Sequence, residues 1–233
     1  MIKPIKIFGV LILLLSSHYL LTGYAQVSGS ALSFAIANVH FEQNATDGDV
    51  EVVFEVKGGD EGLANLVVVS PDGRTIVDFT APDVSTLGIR QFHFESPEKG
   101  NVESIKSAYP EGVYVFNGTT SDGKVFYGES TLIHNLPPTT VFLNPVADAE
   151  GVKFKDLEIN WARVDSVSAY IIEISQDETD VNITAKLRET NSTFKVPDGF
   201  LLPDLEYNLS IGTMTEEGNL SFVETAFKTA GEE

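Results

Sequence analysis

Leu157-Glu158-Ile159-Asn160-Trp161, then Ala169-Tyr170-Ile171-Ile172-Glu173-Ile174, then Leu202-Pro203-Asp204-Leu205-Glu206-Tyr207 decide the fold of this chain. In the first run Leu157, Ile159 and Trp161 share one side, and Glu158 and Asn160 take the other. In the second, Tyr170, Ile172 and Ile174 repeat the alternation. A period of two is the signature of a half-buried strand. Further along, Tyr207, Leu209, Ile211 and Thr213 alternate with Glu206, Asn208, Ser210 and Gly212. Val181, Ile183 and Leu187 mark one more strand, Phe194 and Val196 another, and Phe222 to Phe227 the last. Seven short strands at this spacing predict an immunoglobulin-like sandwich.

The first half is written in the same hand. Val50, Val52, Phe54 and Val56 alternate with Glu51, Val53, Glu55 and Lys57, so that one face turns in and the other mostly out. Leu66 to Val69 and Thr75 to Phe79 flank Ser70-Pro71-Asp72-Gly73-Arg74, a turn in which Pro sets φ and Gly accepts a positive one. Ile89 to Phe94 reads as a strand. Val113 to Phe116 and Lys124 to Tyr127 flank the hairpin signal Ser121-Asp122-Gly123. Thr131 to His134 is expected to close the set as a strand of its own. Asn101 to Ala108 is read as a helical turn across one end. No stretch carries a 3.6-residue apolar period over a helical length. The prediction is all-β: two tandem immunoglobulin-like sandwiches, residues 26–136 and 139–229, divided at Leu136-Pro137-Pro138. Two prolines stiffen a connection and donate nothing to a ladder. So short a linker implies lobes placed end to end with limited swing.

Residues 1–25 read as a secretory leader. Lys3 and Lys6 form the basic end, Ile7 to Leu15 the apolar core, and Gly23-Tyr24-Ala25 a small-residue cleavage site before Gln26. A transmembrane anchor would need a longer apolar run. The expected location is secreted or periplasmic, with no membrane insertion after cleavage. The chain has no cysteine. Small secreted domains of eukaryotes usually lean on disulfides, so this composition suits a bacterial envelope, and packing alone must stabilise it. The net charge of −19 grows more negative by two when Lys3 and Lys6 leave with the leader. Such a surface repels nucleic-acid phosphates and anionic lipid, and neither is expected as a partner.

The residues of the second half carry a resemblance. Trp161 on the second strand, Tyr170 opening the third, and Leu202 to Tyr207 with Tyr207 as a corner tyrosine together resemble a fibronectin type III domain over 139–229. Phe227-Lys228-Thr229 matches its closing strand. A corner tyrosine lays its ring on the core while its hydroxyl reaches nearby backbone. The resemblance implies a module, serving adhesion, receptor ectodomains or spacing in polysaccharide-degrading enzymes, and implies no activity. The Arg-Gly-Asp tripeptide of some members is absent. The loop in its place, Met214 to Asn219, is acidic. In the first half, Tyr109-Pro110-Glu111-Gly112-Val113-Tyr114 followed by Asp122-Gly123 resembles, more loosely, the Ig-like domains of bacterial exported proteins.

No constellation for catalysis emerges. There is no Cys and no Gly-x-Ser-x-Gly elbow. His40 and His93, each beside a Phe in a strand pattern, read as half-exposed strand histidines, since zinc needs three or four converging ligands. Nothing singles out one pair among 34 acids as a glycosidase couple. Asp47-Gly48-Asp49, and Asp148-Ala149-Glu150-Gly151 with Asp156, read as acidic turns, since calcium wants six to eight oxygens. Six Asn-x-Ser/Thr triplets begin at Asn44, Asn117, Asn182, Asn191, Asn208 and Asn219, and Asn208 falls on an outward face. Trp161 and Tyr114 are assigned to cores, leaving Tyr127 as a lone aromatic for sugar stacking. The expectation is an exported, non-catalytic interaction module for a surface glycan or a protein. The alternative is a structural or accessory envelope subunit without a small ligand. No catalytic, metal or cofactor-binding residue is assigned and no cofactor expected. A small hydrolase is the remaining and least supported class.

Overall fold

The computed structural model describes residues 31–232, apart from 61, 82, 84–87 and 98–100. The leader expected over residues 1–25 lies outside the described residues.

The first lobe is built from β1 (Leu32–Ser33), β2 (Ile36–Asn44), β3 (Asp49–Lys57), β4 (Leu63–Val69), β5 (Thr75–Thr80), β6 (Gln91–Glu95), α1 (Val102–Ala108), β7 (Gly112–Thr120) and β8 (Val125–Leu132). One sheet runs β1-β8-β7-β4-β5; β2, β3 and β6 form the facing one. Between them lie Val39, Phe41, Val52, Phe54, Leu66, Val68, Tyr114 and Phe116, all buried. The Phe54 ring stacks on Phe94 at 4.5 Å and meets Tyr114 edge-on at 5.6 Å. The turn at Gly73 forms as its sequence implies, with φ of 81° and Ser70 closing on Arg74. The helical turn is α1, capped by Asn101, whose Oδ1 accepts from the Ser104 N–H.

Two expectations need correcting here. Thr131–His134 is no separate strand. Tyr127 to Leu132 continue β8 without a break, because β7 is long enough to pair with it from Gly112 to Thr119. Val53, placed on the outward row of β3, is buried at 2 % exposure, between His40 on β2 and Glu95 on β6.

The second lobe comprises β9 (Phe142–Asn144), β10 (Ala149–Val152), β11 (Glu158–Trp161), β12 (Ala169–Gln176), β13 (Val181–Arg188), β14 (Thr193–Lys195), β15 (Glu206–Met214) and β16 (Leu220–Thr229). A three-stranded sheet, β14-β11-β9, packs on a four-stranded one, β13-β12-β15-β16, with β10 added beside β16. Trp161, Tyr170, Tyr207 and Phe227 fill the gap with Ile159, Ile172, Leu209 and Ile211. Tyr207 stacks on Phe227 at 5.6 Å. Its hydroxyl accepts from the Leu202 N–H at 2.8 Å, which is the corner geometry expected of it. The first lobe has a counterpart: Tyr114, near the start of β7, donates its hydroxyl to the Pro110 carbonyl at 3.1 Å.

The lobes do not merely meet at their ends. β16 pairs in parallel with β2, Leu220 opposite Glu42 and Phe222 opposite Asn44. One sheet therefore runs β13-β12-β15-β16-β2-β3-β6 through both sandwiches. Short strand pairing of this kind leaves few free edges at the seam.

Candidate functional site

The seam is polar, and side chains of the second lobe pair across it. Asn219 is 1 % exposed. Its Oδ1 accepts from the Phe41 N–H at 2.8 Å, and its Nδ2 donates to the carbonyls of Ile133 and Asn135 at 2.9 Å each. Ser221 Oγ donates to the Pro137 carbonyl at 2.7 Å and accepts from Gln43 Nε2 at 2.8 Å. Thr213 Oγ1 donates to the Pro138 carbonyl at 2.8 Å. The linker carbonyls that the prolines leave without neighbours in a ladder are thus taken by three side chains of the second lobe. Asn219, one of the six triplet asparagines, is spent on this joint and offers no nitrogen to a glycan. Asn208 lies exposed on β15, as its row predicted, with its Nδ2 donating to Asp177 at 3.3 Å.

The outer face of the shared sheet carries a groove of about 520 Å³ lined by residues of both lobes. Strand register sets out its floor in rows. Ile171 lies opposite Gly212, Gly212 opposite Phe222, Phe222 opposite Asn44, and Asn44 opposite Asp49. In the next row Glu173, Ser210 and Glu224 stand on β12, β15 and β16. Gly212 is required by the packing: a Cβ there would sit 2.6 Å from the Phe222 ring, which lies flat across the strand. The floor carries Ile171 and Phe222 in one row and Val53 two rows away beside His40, bordered by eight carboxylates and two imidazoles, with no Lys or Arg among the described lining residues. Burial, with Glu42 and Glu224 nearby, pushes the Glu173 carboxyl above the usual carboxylate range.

Both strand histidines line this groove. His93 is half-exposed as expected, with Nε2 2.7 Å from Glu95. His40 is not: it is 5 % exposed, held between Asn38 at 3.1 Å and Glu42 at 3.3 Å, because the second lobe's loop at Gly218 covers it. β3 lies between the two strands that carry them, and among the described residues no three His, Asp or Glu side chains converge as a metal requires.

The acidic turns resolve individually. Asp47 accepts from the Asp49 N–H and from Asn44, closing a tight β2–β3 turn. Asp148 adopts φ of 55°, and Asp156 is paired with Lys195 at 2.7 Å, which draws its carboxyl below the usual range. Tyr127 is exposed, its hydroxyl bonded to Glu129, with no second ring beside it among the described aromatic pairs. Trp161 is in the core; its indole N–H has no partner. The groove itself was missed in the sequence. The signal for it was the acid-rich outward rows of β2 and β3, but nothing along the chain told which strand would lie beside them.

Three on four strands with a tyrosine corner is the architecture the resemblance implied. No family model matches the chain, and no curated protein matches it. Among solved structures, fibronectin(III)-like modules of Clostridium thermocellum CbhA align at 12 % identity over 84 % of this chain and 92 % of theirs, with a TM-score of 0.35. The FN1-FN3 domains of chicken CNTN1 align at 13 % identity over 86 % of this chain and 65 % of theirs, with a TM-score of 0.35. A two-domain fibronectin type III segment of chicken tenascin aligns at 13 % identity over 83 % and 98 %, with a TM-score of 0.31. No helix among the described residues is long and apolar enough to cross a membrane.

Proposed function

We propose that this chain is an exported, non-catalytic interaction module that binds a protein partner on the outer face of its shared sheet. The observation that carries the reading is the joint groove: Ile171, Phe222 and Val53 set among carboxylates, on strands of both lobes. Interfaces combine an apolar centre with a polar rim in this way. The leader-like residues Lys3 to Ala25 support export. A protein suits the face better than a glycan, because sugar stacking wants flat exposed rings and Phe222 is 9 % exposed at the groove floor.

Capture from envelope extracts tests the reading with two variants of the purified chain. Ile171→Arg places a long cation in the groove, and Val113→Arg places one on the opposite sheet, where Val113 is exposed. A protein held by the wild type and by Val113→Arg but lost from Ile171→Arg supports the proposal. Capture indifferent to Ile171→Arg, or a thermal shift with a polysaccharide in place of any protein, overturns it.

A further inference from the structure

The row Glu173–Ser210–Glu224 has a chemistry of its own. The three residues stand on adjacent strands in register, so the two carboxylates flank the serine roughly 10 Å apart at their backbones, twice the ordinary strand spacing. Ser210 is 9 % exposed, and its hydroxyl oxygen is buried without a hydrogen-bond partner. Buried hydroxyls are ordinarily bonded. This one lies on the outer row of β15, among the lining residues of the groove and of the neighbouring cavity beside Thr46 and Asp148. Its unmet capacity therefore lies between the two strands that carry the carboxylates.

We infer that this row is a seat for a lysine side chain of an extended, basic segment of the partner, its ammonium held by Glu173, Ser210 and Glu224. The inference rests on the protein-binding reading given above. An ammonium carries three N–H donors and no acceptor, which matches one hydroxyl between two carboxylates. The lysine stem would lie along Ile171 and Phe222, the apolar row next to the seat, while its head takes the charge. A cation there also offsets the burial, and the lesser repulsion from Glu42 and Glu224, that hold the Glu173 carboxyl high. A divalent metal fits less well, since its ligands must close to about 2–2.6 Å around one point, and no three such groups converge among the described residues.

Fluorescence anisotropy with the purified chain reads this directly. The probe is a labelled nonapeptide with one central lysine between two leucines, compared with the same peptide carrying Nε-acetyl-lysine, arginine or glutamate. The wild-type chain is expected to prefer the lysine peptide over the acetylated one by about tenfold, as for loss of one desolvated charge partner. Glu173→Gln/Glu224→Gln should lose that preference. Glu103→Gln/Glu189→Gln, which removes the same charge outside the groove, should keep it. Ser210→Val, which fills the hydroxyl's place without changing charge, should weaken the lysine peptide and leave its salt dependence intact. Equal loss in both double variants would mean diffuse attraction and overturn the seat. So would an arginine peptide bound as well as lysine through Ser210→Val. If no peptide binds while Ile171→Arg still abolishes protein capture, the lysine seat is wrong and the partner reading stands.

Discussion

The Asn219 carboxamide accepts the Phe41 backbone N–H at 2.8 Å across the seam between the two sandwiches. The same side chain donates twice more, to Ile133 and Asn135, so a single asparagine closes three backbone groups of the first lobe. Asn219→Ala leaves all three without that partner inside the seam. Each unmet buried group costs about 1–3 kcal/mol, partly recovered by entering water, and a net loss of about 3 kcal/mol is expected. At about 2–4 °C per kcal/mol for a chain of this size, melting should fall by several degrees. Urea unfolding followed by tryptophan fluorescence, which reports the second lobe through Trp161 alone, and by circular dichroism should separate into two transitions in the variant. Coincident transitions would show that the β2–β16 pairing holds the lobes together without Asn219.

Tyr114 and Tyr207 share a geometry, each hydroxyl tied to backbone a few residues before it. Their Phe variants should each lose about 1 kcal/mol. Tyr114 adds a pH dependence, since burial pushes its phenol up to about 12. In the unfolded chain it ionises near 10. Between those values the unfolded state gives up a proton that the folded state keeps, so stability present below pH 10 is lost as pH rises toward 12. Tyr114→Phe should flatten that part of the stability profile, which equilibrium unfolding between pH 9 and 12 checks.

Glu173 has its carboxyl raised by burial and by the charges of Glu42 and Glu224. Its folded form favours the proton, so this group contributes stability below the ordinary carboxylate range and loses it as pH rises through the raised value. Glu173→Gln should therefore melt higher than the wild type at pH 7, and the gain should shrink to nothing as pH falls below about 4, the range where an unperturbed glutamate titrates. A variant that gains equally at acid and neutral pH would assign the effect to packing.

Gly212 leaves room for the Phe222 ring. Gly212→Ala forces that ring off the strand, and overpacking of this kind typically costs about 1–3 kcal/mol. Because the ring floors the groove, the variant should lose the captured partner along with its stability. Gly151→Ala is a poor control, since its φ of 68° strains any side chain. Val113→Ala, on the opposite sheet, is the useful one, and it should keep the partner.

How much of this could be read along the chain differs from element to element. The core rows of β11, β12 and β15 were legible because each alternates strictly, and a period of two admits one face only. Tyr207 and Trp161 were legible through the resemblance to fibronectin type III domains, whose corner tyrosine and core tryptophan they match. β8 was read as two strands, Lys124 to Tyr127 and Thr131 to His134, because nothing along the chain gave a partner to span them; β7 pairs from Val125 to Leu132 without a break. His40 was placed half in water because its own strand says so, and what covers it comes from Gly218, far away in sequence.

The sequence by itself determined an all-β sandwich fold, its inward rows and an acidic, cysteine-free chain, because these follow from local periodicity, turn chemistry and composition. Only the tertiary structure decided that β2 and β16 lie side by side, that the linker carbonyls are held by Asn219, Ser221 and Thr213, and that Glu173, Ser210 and Glu224 face a common groove with Phe222. The reason is register. Which residue stands beside which across a parallel seam is fixed by packing between segments far apart in the chain, and no window along the sequence contains both.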